Sequence, residues 1–243
     1  MKPSIRFKTI TLLLLPLVLA CFAFLPNAQA VTPAPDGAYG FNTAEGFQAL
    51  LSLPNTSGNL FNTALGAKTL RDDTTGHDNT AVGGQALALN NGSFNTAVGE
   101  NALVSNTTGS FNMALGQGAL SSNVSGSSNT AMGFQALNAN TANNNTAVGF
   151  QAMLSATGSS VVFNTALGFR ALVSTTGNAN VALGDLALQN LGSGAFNTAI
   201  GASADFNHAT GDNNIYIGQG SFGLASESHT CYIQEIFGKT SSG

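Results

Sequence analysis

The sequence is poor in charged residues, cysteine, proline and tryptophan. Of its 243 residues only 7% are charged, and it contains two cysteines, six prolines and no tryptophan. Its seven basic residues are too few and too scattered for the clustered Lys and Arg that nucleic-acid binding needs. It has no nucleotide-binding loop, zinc-ligand spacing or carboxylate pair. We therefore expect no nucleic-acid partner, no catalysis, no cofactor and no metal.

The first 30 residues have the pattern of a secretory signal peptide. Three basic residues precede the apolar run 12–25, and small residues follow at the cleavage-site spacing up to Ala30. A lipoprotein-type site at Cys21 is a weaker alternative, because apolar residues continue beyond it. Cleavage after Ala30 would leave four basic and eleven acidic residues, a net charge of −7, and one cysteine, Cys231. We expect a secreted protein or one held at the bacterial cell surface or outer membrane, with no membrane-spanning segment in the mature chain and with Cys231 either free or linked to another chain.

A five-residue phrase, Asn-Thr-Ala-aliphatic-Gly, dominates the rest of the chain. Eleven copies begin between Asn42 and Asn214 at intervals of 16 to 20 residues, most often 17. Such a period indicates a solenoid, and it is too short for helical repeats of about 33 residues or more. The β-branched, alternating pattern between polar turns predicts short strands. We therefore predict an all-β, parallel β-solenoid of about eleven coils at 41–222, after a linker at 31–40 and before a degenerate cap or tail at 223–243.

The positions of the phrase differ in what they tolerate. The Thr position accepts Met113, Val181 and Ile215, so we expect the Thr and aliphatic columns to form the core. The Asn and Gly positions are unbroken, which indicates an Asn ladder or Asn-held turns and a backbone requirement for Gly; a ligand surface is the alternative. These structural positions are Asn62, Gly66, Asn79, Gly83, Asn95, Gly99, Asn112, Gly116, Asn129, Gly133, Asn145, Gly149, Asn164, Gly168, Asn180, Gly184, Asn197, Gly201, Asn214 and Gly218.

The residue before the Asn is Phe in six of the eleven copies and mostly polar in the others. A position that alternates in this way suits a subunit interface or edge packing better than ordinary core or a binding stripe, although all three readings stay open. The candidate interface residues are Phe61, Phe94, Phe111, Phe163 and Phe196, and Phe41 occupies the same position in the first copy.

Few residues offer chemistry. His77, His208 and His229 lie in turns or in the tail, where histidine is an ordinary polar loop residue. The segment 71–78, with its three Asp residues and one His, is a candidate for binding a hard cation through carboxylate oxygens. A solvated turn explains it equally well without a metal.

Two parts of the chain resemble known families. Phrases such as 94–99 and 144–149 resemble the head repeats of trimeric autotransporter adhesins, the YadA-like head, over roughly residues 41–222. That resemblance implies a left-handed parallel β-roll and a homotrimer that binds host or matrix surfaces. The tail, 213–218 and 232–238, is similar to the segment that precedes endosialidase-type intramolecular chaperone domains. These coils are longer than is usual in the adhesins, and neither a heptad stalk nor a barrel anchor is expected here.

The function expected is that of a secreted or cell-surface structural or adhesive protein without catalysis, whose surface ligand is an unidentified protein or glycan. One alternative is an ice- or crystal-binding solenoid with a regular Thr ladder, although interruption of that ladder favours an inward position. Another is a truncated, tail-fibre-like carbohydrate-binding protein. A carbohydrate-active enzyme is disfavoured because the carboxylates are few and scattered.

Overall fold

The computed structural model describes residues 41–53, 60–206, 209–224 and 226–234. The signal segment and linker expected at 1–40, and His208, lie outside them. The described residues contain twelve three-residue strands. They hold no helix with the length and hydropathy that crossing a membrane requires. The strands are β1 (Thr43–Glu45), β2 (Thr63–Leu65), β3 (Thr80–Val82), β4 (Thr96–Val98), β5 (Met113–Leu115), β6 (Thr130–Met132), β7 (Thr146–Val148), β8 (Thr165–Leu167), β9 (Val181–Leu183), β10 (Thr198–Ile200), β11 (Ile215–Ile217) and β12 (Cys231–Ile233).

All twelve strands form one parallel sheet in chain order, from β1 to β12. Each strand pairs in register with its copy in the next coil, so Thr, Ala and aliphatic positions stack on themselves throughout. The predicted fold is confirmed: the chain is an all-β, parallel β-solenoid of about eleven turns with a spacing of about 17 residues. At about 4.8 Å for each strand pairing, the sheet is roughly 50 Å long. The last strand, β12, continues the sheet beyond the eleventh phrase by pairing with β11.

The prediction of which strand face is core is wrong. The Ala in the middle of each strand from β2 to β10 is fully buried, whereas the Thr and aliphatic positions on either side are only partly buried or exposed. Met113 and Leu115, for example, are 46% and 43% exposed. Alternation along a strand therefore turns Asn and Ala inward and Thr and the aliphatic residue outward. The narrow interior tolerates little beyond Ala at this position, and the outward positions accept Thr, Met, Val or Ile.

Leucines from the opposite side of each coil complete the core. They lie four residues after the Gly of the phrase and are fully buried, as at Leu87, Leu103 and Leu120. Their turns stack through hydrogen bonds between coils, such as Leu87 N–H to the Ala102 carbonyl at 3.0 Å. The leucines adopt positive φ, 51° at Leu87. In the coils from Leu70 to Leu188, burial of one small and one large apolar side chain therefore joins the sheet to the turn side.

The Gly of the phrase is required by both its backbone and its neighbours. Gly99 has a φ of +130°, which L residues rarely adopt. A Cβ there would lie 2.7 Å from both the carbonyl carbon and the carbonyl oxygen of Gly116 in the next coil. The column therefore has to remain Gly for the coils to stack this closely.

Candidate binding face

The Asn of the phrase is buried inside the coil and is engaged on both sides. In the middle of the solenoid, the Asn129 Nδ2 group donates to the Ala142 carbonyl at 2.8 Å, which ties the strand to the closing turn. Its Oδ1 accepts the N–H of Asn145 in the next coil at 3.0 Å. The sequence left two roles open for this Asn, a ladder between coils and a turn held by its side chain, and the same side chain makes both contacts. A buried ladder of this kind is no surface for an external ligand, so binding has to be sought elsewhere.

The structure also contains a second buried Asn column, which the sequence analysis missed. Asn106 donates to the Oδ1 of Asn90 at 2.6 Å and to the carbonyl of Gly109 at 2.8 Å. Asn123 repeats this arrangement one coil later, donating to Asn106 at 2.8 Å. The signal available in the sequence was Asn-x-x-Gly, which recurs at 106–109 and 123–126. This column also serves stacking and turn formation.

One acidic side chain, Asp73, occupies the position of the second Asn column near its N-terminal end. It is fully buried and accepts the N–H groups of Gly76 at 2.7 Å and of Thr75 at 3.3 Å. Burial raises the pKa of Asp73 to about 6, and these two hydrogen bonds oppose the increase. Asp73 is therefore a titratable residue at a position that the next four coils fill with Asn90, Asn106, Asn123 and Asn140.

The Asp-rich segment does not converge into a cation site. The guanidinium of Arg71 donates two hydrogen bonds to the Asp72 carboxylate, and this hydrogen bonding is the main cause that lowers the pKa of that carboxyl. Asp73 points into the coil, and the Asp78 carboxylate lies 2.8 Å from Nδ1 of His77. Across the described ranges, no three His, Cys, Asp or Glu side chains are placed to hold a metal ion.

The outward columns of the sheet form one long surface, here called the outer face. It consists of the Thr and aliphatic positions of β2 to β11, and none of these positions carries a charged residue. Several members are well exposed: Met113, Leu115, Leu167, Ile200 and Ile215 range from 39% to 49%. A surface roughly 50 Å long and about 10 Å wide covers roughly 500 Å². This equals the largest apolar patch of a typical monomer, and such patches are often functional.

Phenylalanines line the beginning of the strands in a column that we call the start ladder: Phe41, Phe61, Phe94, Phe111, Phe163 and Phe196. All six are exposed, from 47% to 64%. Phe41 stacks on Phe61 with ring centroids 5.3 Å apart, and Phe94 stacks on Phe111 at 5.0 Å. His77 packs edge-on against Phe94 at 4.9 Å. The candidate interface residues therefore lie on the surface rather than in the core of the isolated chain.

A second set of phenylalanines follows the Gly of the phrase, and the sequence analysis did not single it out. This end ladder consists of Phe47, Phe134, Phe150 and Phe169, which are 38% to 64% exposed. Phe150 stacks between Phe134 and Phe169, at 5.1 and 5.4 Å. The recurring tetrad Gly-Phe-Gln-Ala, as at 46–49, 133–136 and 149–152, was the available signal. Along the sequence, exposed phenylalanines therefore both precede and follow the strands of the outer face.

The other candidates from the sequence lie near the C-terminal end. His229 is exposed and precedes β12 at the position that Phe occupies in the start ladder. Cys231 is an exposed free thiol in β12. Neither residue belongs to a cluster with catalytic geometry in the described ranges.

Comparison of this chain with protein-family profiles, curated proteins and solved structures finds no match. The outer face and its two ladders therefore have to be interpreted from their own geometry.

Proposed function

We propose that this chain is a secreted or cell-surface structural and adhesive repeat protein that assembles as a homotrimer through its outer face. The assembled solenoid would present its turns to a protein or glycan ligand. The observation that carries the proposal is the outer face itself: an uncharged, largely apolar surface that runs along ten strands and remains exposed in the single chain. Exposed apolar surfaces of this extent are typical of protein contacts.

The start ladder supports the same conclusion through its backbone. Phe61, Phe94 and Phe111 have φ values of 52°, 60° and 61°, a left-handed conformation that Asn and Asp adopt far more readily than bulky residues. Asp78 and Asn144 occupy the same position in other coils with φ values of 56° and 60°. In an isolated chain, an exposed Phe here has both a conformational cost and a solvation cost. A contact that buries the ring offsets both.

The size and symmetry of the surface fit a closed assembly of copies. Stable interfaces bury about 800 Å² on each partner, which is of the order of the outer face together with its flanking ladders. Rotation about an axis parallel to the solenoid would place the same coil of every copy at the same height, so the repeats would stay in register. The number three comes from the resemblance to adhesin heads.

The test is the mass of the mature protein in solution, measured by light scattering after size exclusion and by native mass spectrometry. We expect the mass of three chains. The double variant Leu115→Glu/Leu167→Glu places two charges on each outer face and is expected to be monomeric. Val124→Glu is the matched control, because Val124 is also exposed, at 46%, but lies in a turn outside the sheet. That variant should keep the native mass.

Different results would overturn different parts of the proposal. A wild-type monomer at micromolar concentration would refute self-assembly. An assembly that survives Leu115→Glu/Leu167→Glu would move the interface away from the outer face. Circular dichroism of each variant tests whether the solenoid is still folded, so that dissociation into monomers is distinguished from unfolding.

Secretion and adhesion have separate tests. N-terminal sequencing of exported protein should begin at Val31, and an intact Met1 start in the exported protein would contradict the signal cleavage. Adhesion is tested by binding of the purified, assembled protein to a defined glycan array and to purified matrix proteins. Failure to bind any of them would leave the structural role without the adhesive one.

A second candidate function is ice or crystal binding, because the Thr column faces outward, contrary to our expectation from its interruptions. Within the described residues, the hydroxyl groups of the eight threonines in this column make no hydrogen bond, and consecutive threonines stack at the strand spacing, as at Thr130, Thr146 and Thr165. Hydroxyls in such an array can match a lattice. Measurable thermal hysteresis, lost in Thr146→Leu, would favour this function, and its absence would remove it.

The carbohydrate-binding alternative has less support from the aromatic residues. The ring centroids of Phe134 and Phe150 lie 5.1 Å apart with planes 14° from parallel, so each ring packs one face against its neighbour in an offset stack. Sugars stack on open aromatic faces. The ladders are therefore better suited to packing against protein.

A further inference from the structure

The apolar core changes character near the C-terminal end of the solenoid. The buried Leu position of the earlier coils is occupied by Asp205, which is 1% exposed and follows Leu188 in that column. The next residue in the column, Phe222, is 54% exposed and so leaves the interior. In the same coil as Phe222, Tyr216 replaces the strand Ala and is fully buried. A carboxylic acid and a phenol thus stand where the earlier coils have Leu or Met and Ala.

A second carboxylic acid joins these two residues to the last strand. Glu227 accepts hydrogen bonds from the hydroxyl of Tyr216 at 3.3 Å and from that of Tyr232 at 2.9 Å. The two tyrosine rings stack with centroids 5.7 Å apart and planes 3° from parallel. Glu227 therefore connects β11 to β12 through their tyrosines, and its negative charge acts on Asp205.

The pKa of the Asp205 carboxyl is set by its burial and by two neighbouring groups. The pKa of Asp205 is raised to about 7. Burial is the largest cause, the hydrogen bond from the N–H of Gly223 opposes it, and the charge of Glu227 adds a smaller increase. The other titratable group acting in this cluster is Tyr216, whose pKa is raised, first by burial and then by the charge of Asp205. Tyr216 thus stays a neutral hydrogen-bond donor over the physiological range.

We propose that Asp205, Tyr216, Glu227 and Tyr232 form a proton-operated latch that closes the C-terminal end of the solenoid. When the Asp205 carboxyl is protonated, the negative charge of this cluster is that of the Glu227 carboxylate, which accepts a hydrogen bond from each tyrosine hydroxyl. With Asp205 ionised, a buried negative charge adjoins Glu227, and separation of the last coils relieves both the burial and the repulsion. The latch is therefore closed in acid and loosens toward alkaline pH.

The direction follows from the linkage between protonation and folding. The pKa of Asp205 is higher in the closed state, about 7, than its ordinary value of about 3.8, so the closed state binds the proton more tightly. The stabilisation is complete below about pH 4 and is lost as the pH rises through about 7. Opening would expose the edge of β11, a site at which another strand can pair.

Hydrogen exchange of the whole protein, followed by mass spectrometry at pH 5 and pH 8, tests the latch. After correction for intrinsic exchange rates, residues 209–234 should lose protection by up to about a hundredfold at pH 8, because each of the two pH units between 5 and the pKa of Asp205 shifts the opening equilibrium by up to about tenfold, and the shift levels off above that pKa. Residues 129–168 of the same molecule serve as the internal reference and should not change. Asp205→Asn, a neutral isostere, should abolish the difference between the two pH values.

The matched control is Asp73→Asn, which neutralises a different buried acid near the other end of the solenoid and should leave the C-terminal pH dependence intact. If Asp205→Asn disturbs folding, Asp205→Leu restores the residue type of the column and should give the same pH-independent protection. Glu227→Gln should move the midpoint to lower pH, because it removes a charge that raises the pKa of Asp205. Equal protection of wild type at both pH values, or a pH dependence that persists in Asp205→Asn and Asp205→Leu, would overturn the proposal.

Discussion

The backbone N–H of Asn145 donates a hydrogen bond to the side-chain Oδ1 of Asn129, one coil earlier, at a distance of 3.0 Å. The amide nitrogen of the same Asn129 side chain donates to Ala142 in the closing turn. One buried amide therefore satisfies a backbone donor in one coil and a backbone acceptor in another. Buried backbone groups need such partners, and a primary amide offers a donor and an acceptor on two separate atoms that can reach both. This accounts for Asn in all eleven copies of the phrase.

Replacement of this side chain should therefore be severely destabilising. Asn129→Ala leaves the N–H of Asn145 buried without this partner, at about 1–3 kcal/mol, and removes one of the two amide donors to the Ala142 carbonyl, which keeps Asn140 at 2.9 Å. We expect the free energy of unfolding to fall by about 3 kcal/mol or more, measured by urea denaturation and circular dichroism. Thr130→Val is the control, because that neighbouring hydroxyl points outward, and it should change stability by less than about 0.5 kcal/mol. A loss below about 1 kcal/mol in Asn129→Ala would contradict the role of the ladder.

Two glycine substitutions separate the effect of close packing between coils from the effect of a positive φ alone. Gly99→Ala places a methyl group 2.7 Å from the Gly116 carbonyl, at a φ of +130°. Gly118→Ala also has a positive φ, +67°, but its methyl group meets only side-chain atoms, the nearest at 3.4 Å. We expect Gly99→Ala to destabilise the solenoid by about 3 kcal/mol or more and Gly118→Ala by about 1 kcal/mol. Similar thermal unfolding of the two variants would show that coil spacing adapts to a methyl group.

Periodicity alone predicted the architecture of this chain because every coil places the same short strand at nearly the same interval. The assignment of the faces was wrong for a physical reason. The Thr column accepts Met113 and Ile215, a pattern that indicates burial in many folds. In a narrow coil, however, the size of side chains is most restricted inside, where Ala and Asn fit. The strict positions are therefore the interior ones, and the variable apolar positions belong to the outer surface.

The aromatic ladders show where sequence reasoning stops. The Phe position before the Asn is a candidate interface on sequence grounds, but its left-handed backbone, 61° at Phe111, does not follow from Phe, which rarely adopts it; the available signal was Asp78 and Asn144 at the same position in other copies. The end ladder was missed because only four of its positions are Phe. The latch at Asp205 also depends on the fold, since it joins residues from three successive coils.

The buried acid near the N-terminal end predicts a pH dependence of stability. The pKa of Asp73 is about 6 in the folded chain and about 3.9 when unfolded, so the folded state binds the proton more tightly. Its contribution to stability is fully present below about pH 4 and is lost as the pH rises through about 6. Thermal unfolding of the wild type should therefore show a lower melting temperature at pH 7.5 than at pH 5.

Asp73→Asn supplies the comparison for this effect, because it introduces the residue that the next four coils have at this position. The variant should melt higher than the wild type at pH 7.5, and the change in melting temperature between the two pH values should become smaller. Asp78→Asn, at a partly exposed acid five residues away, serves as the control and should retain the wild-type pH response. A melting temperature of Asp73→Asn below that of the wild type at pH 7.5 would show that the ionised carboxylate is the preferred form.

The start ladder predicts that stability of the chain and stability of the assembly respond in opposite directions to one substitution. Phe111→Asn puts a residue that accepts a left-handed backbone where a bulky one now stands, at a φ of 61°. Its ring is 61% exposed in the single chain, so folding loses little apolar burial. Burial of a Phe in an interface contributes about 1.5–3 kcal/mol, so self-association should weaken by about tenfold to a hundredfold, measured by sedimentation equilibrium.

The same substitution made in the monomeric Leu115→Glu/Leu167→Glu background isolates the folding term. There, Phe111→Asn should leave the free energy of unfolding unchanged or raise it by up to about 1 kcal/mol, since the backbone strain is relieved. Val124→Asn in the assembled protein should leave self-association unaltered. If Phe111→Asn instead destabilises the monomeric background by more than about 1 kcal/mol, the stack of Phe94 on Phe111 would be a folding element of the single chain, and the start ladder would lose its role as an interface.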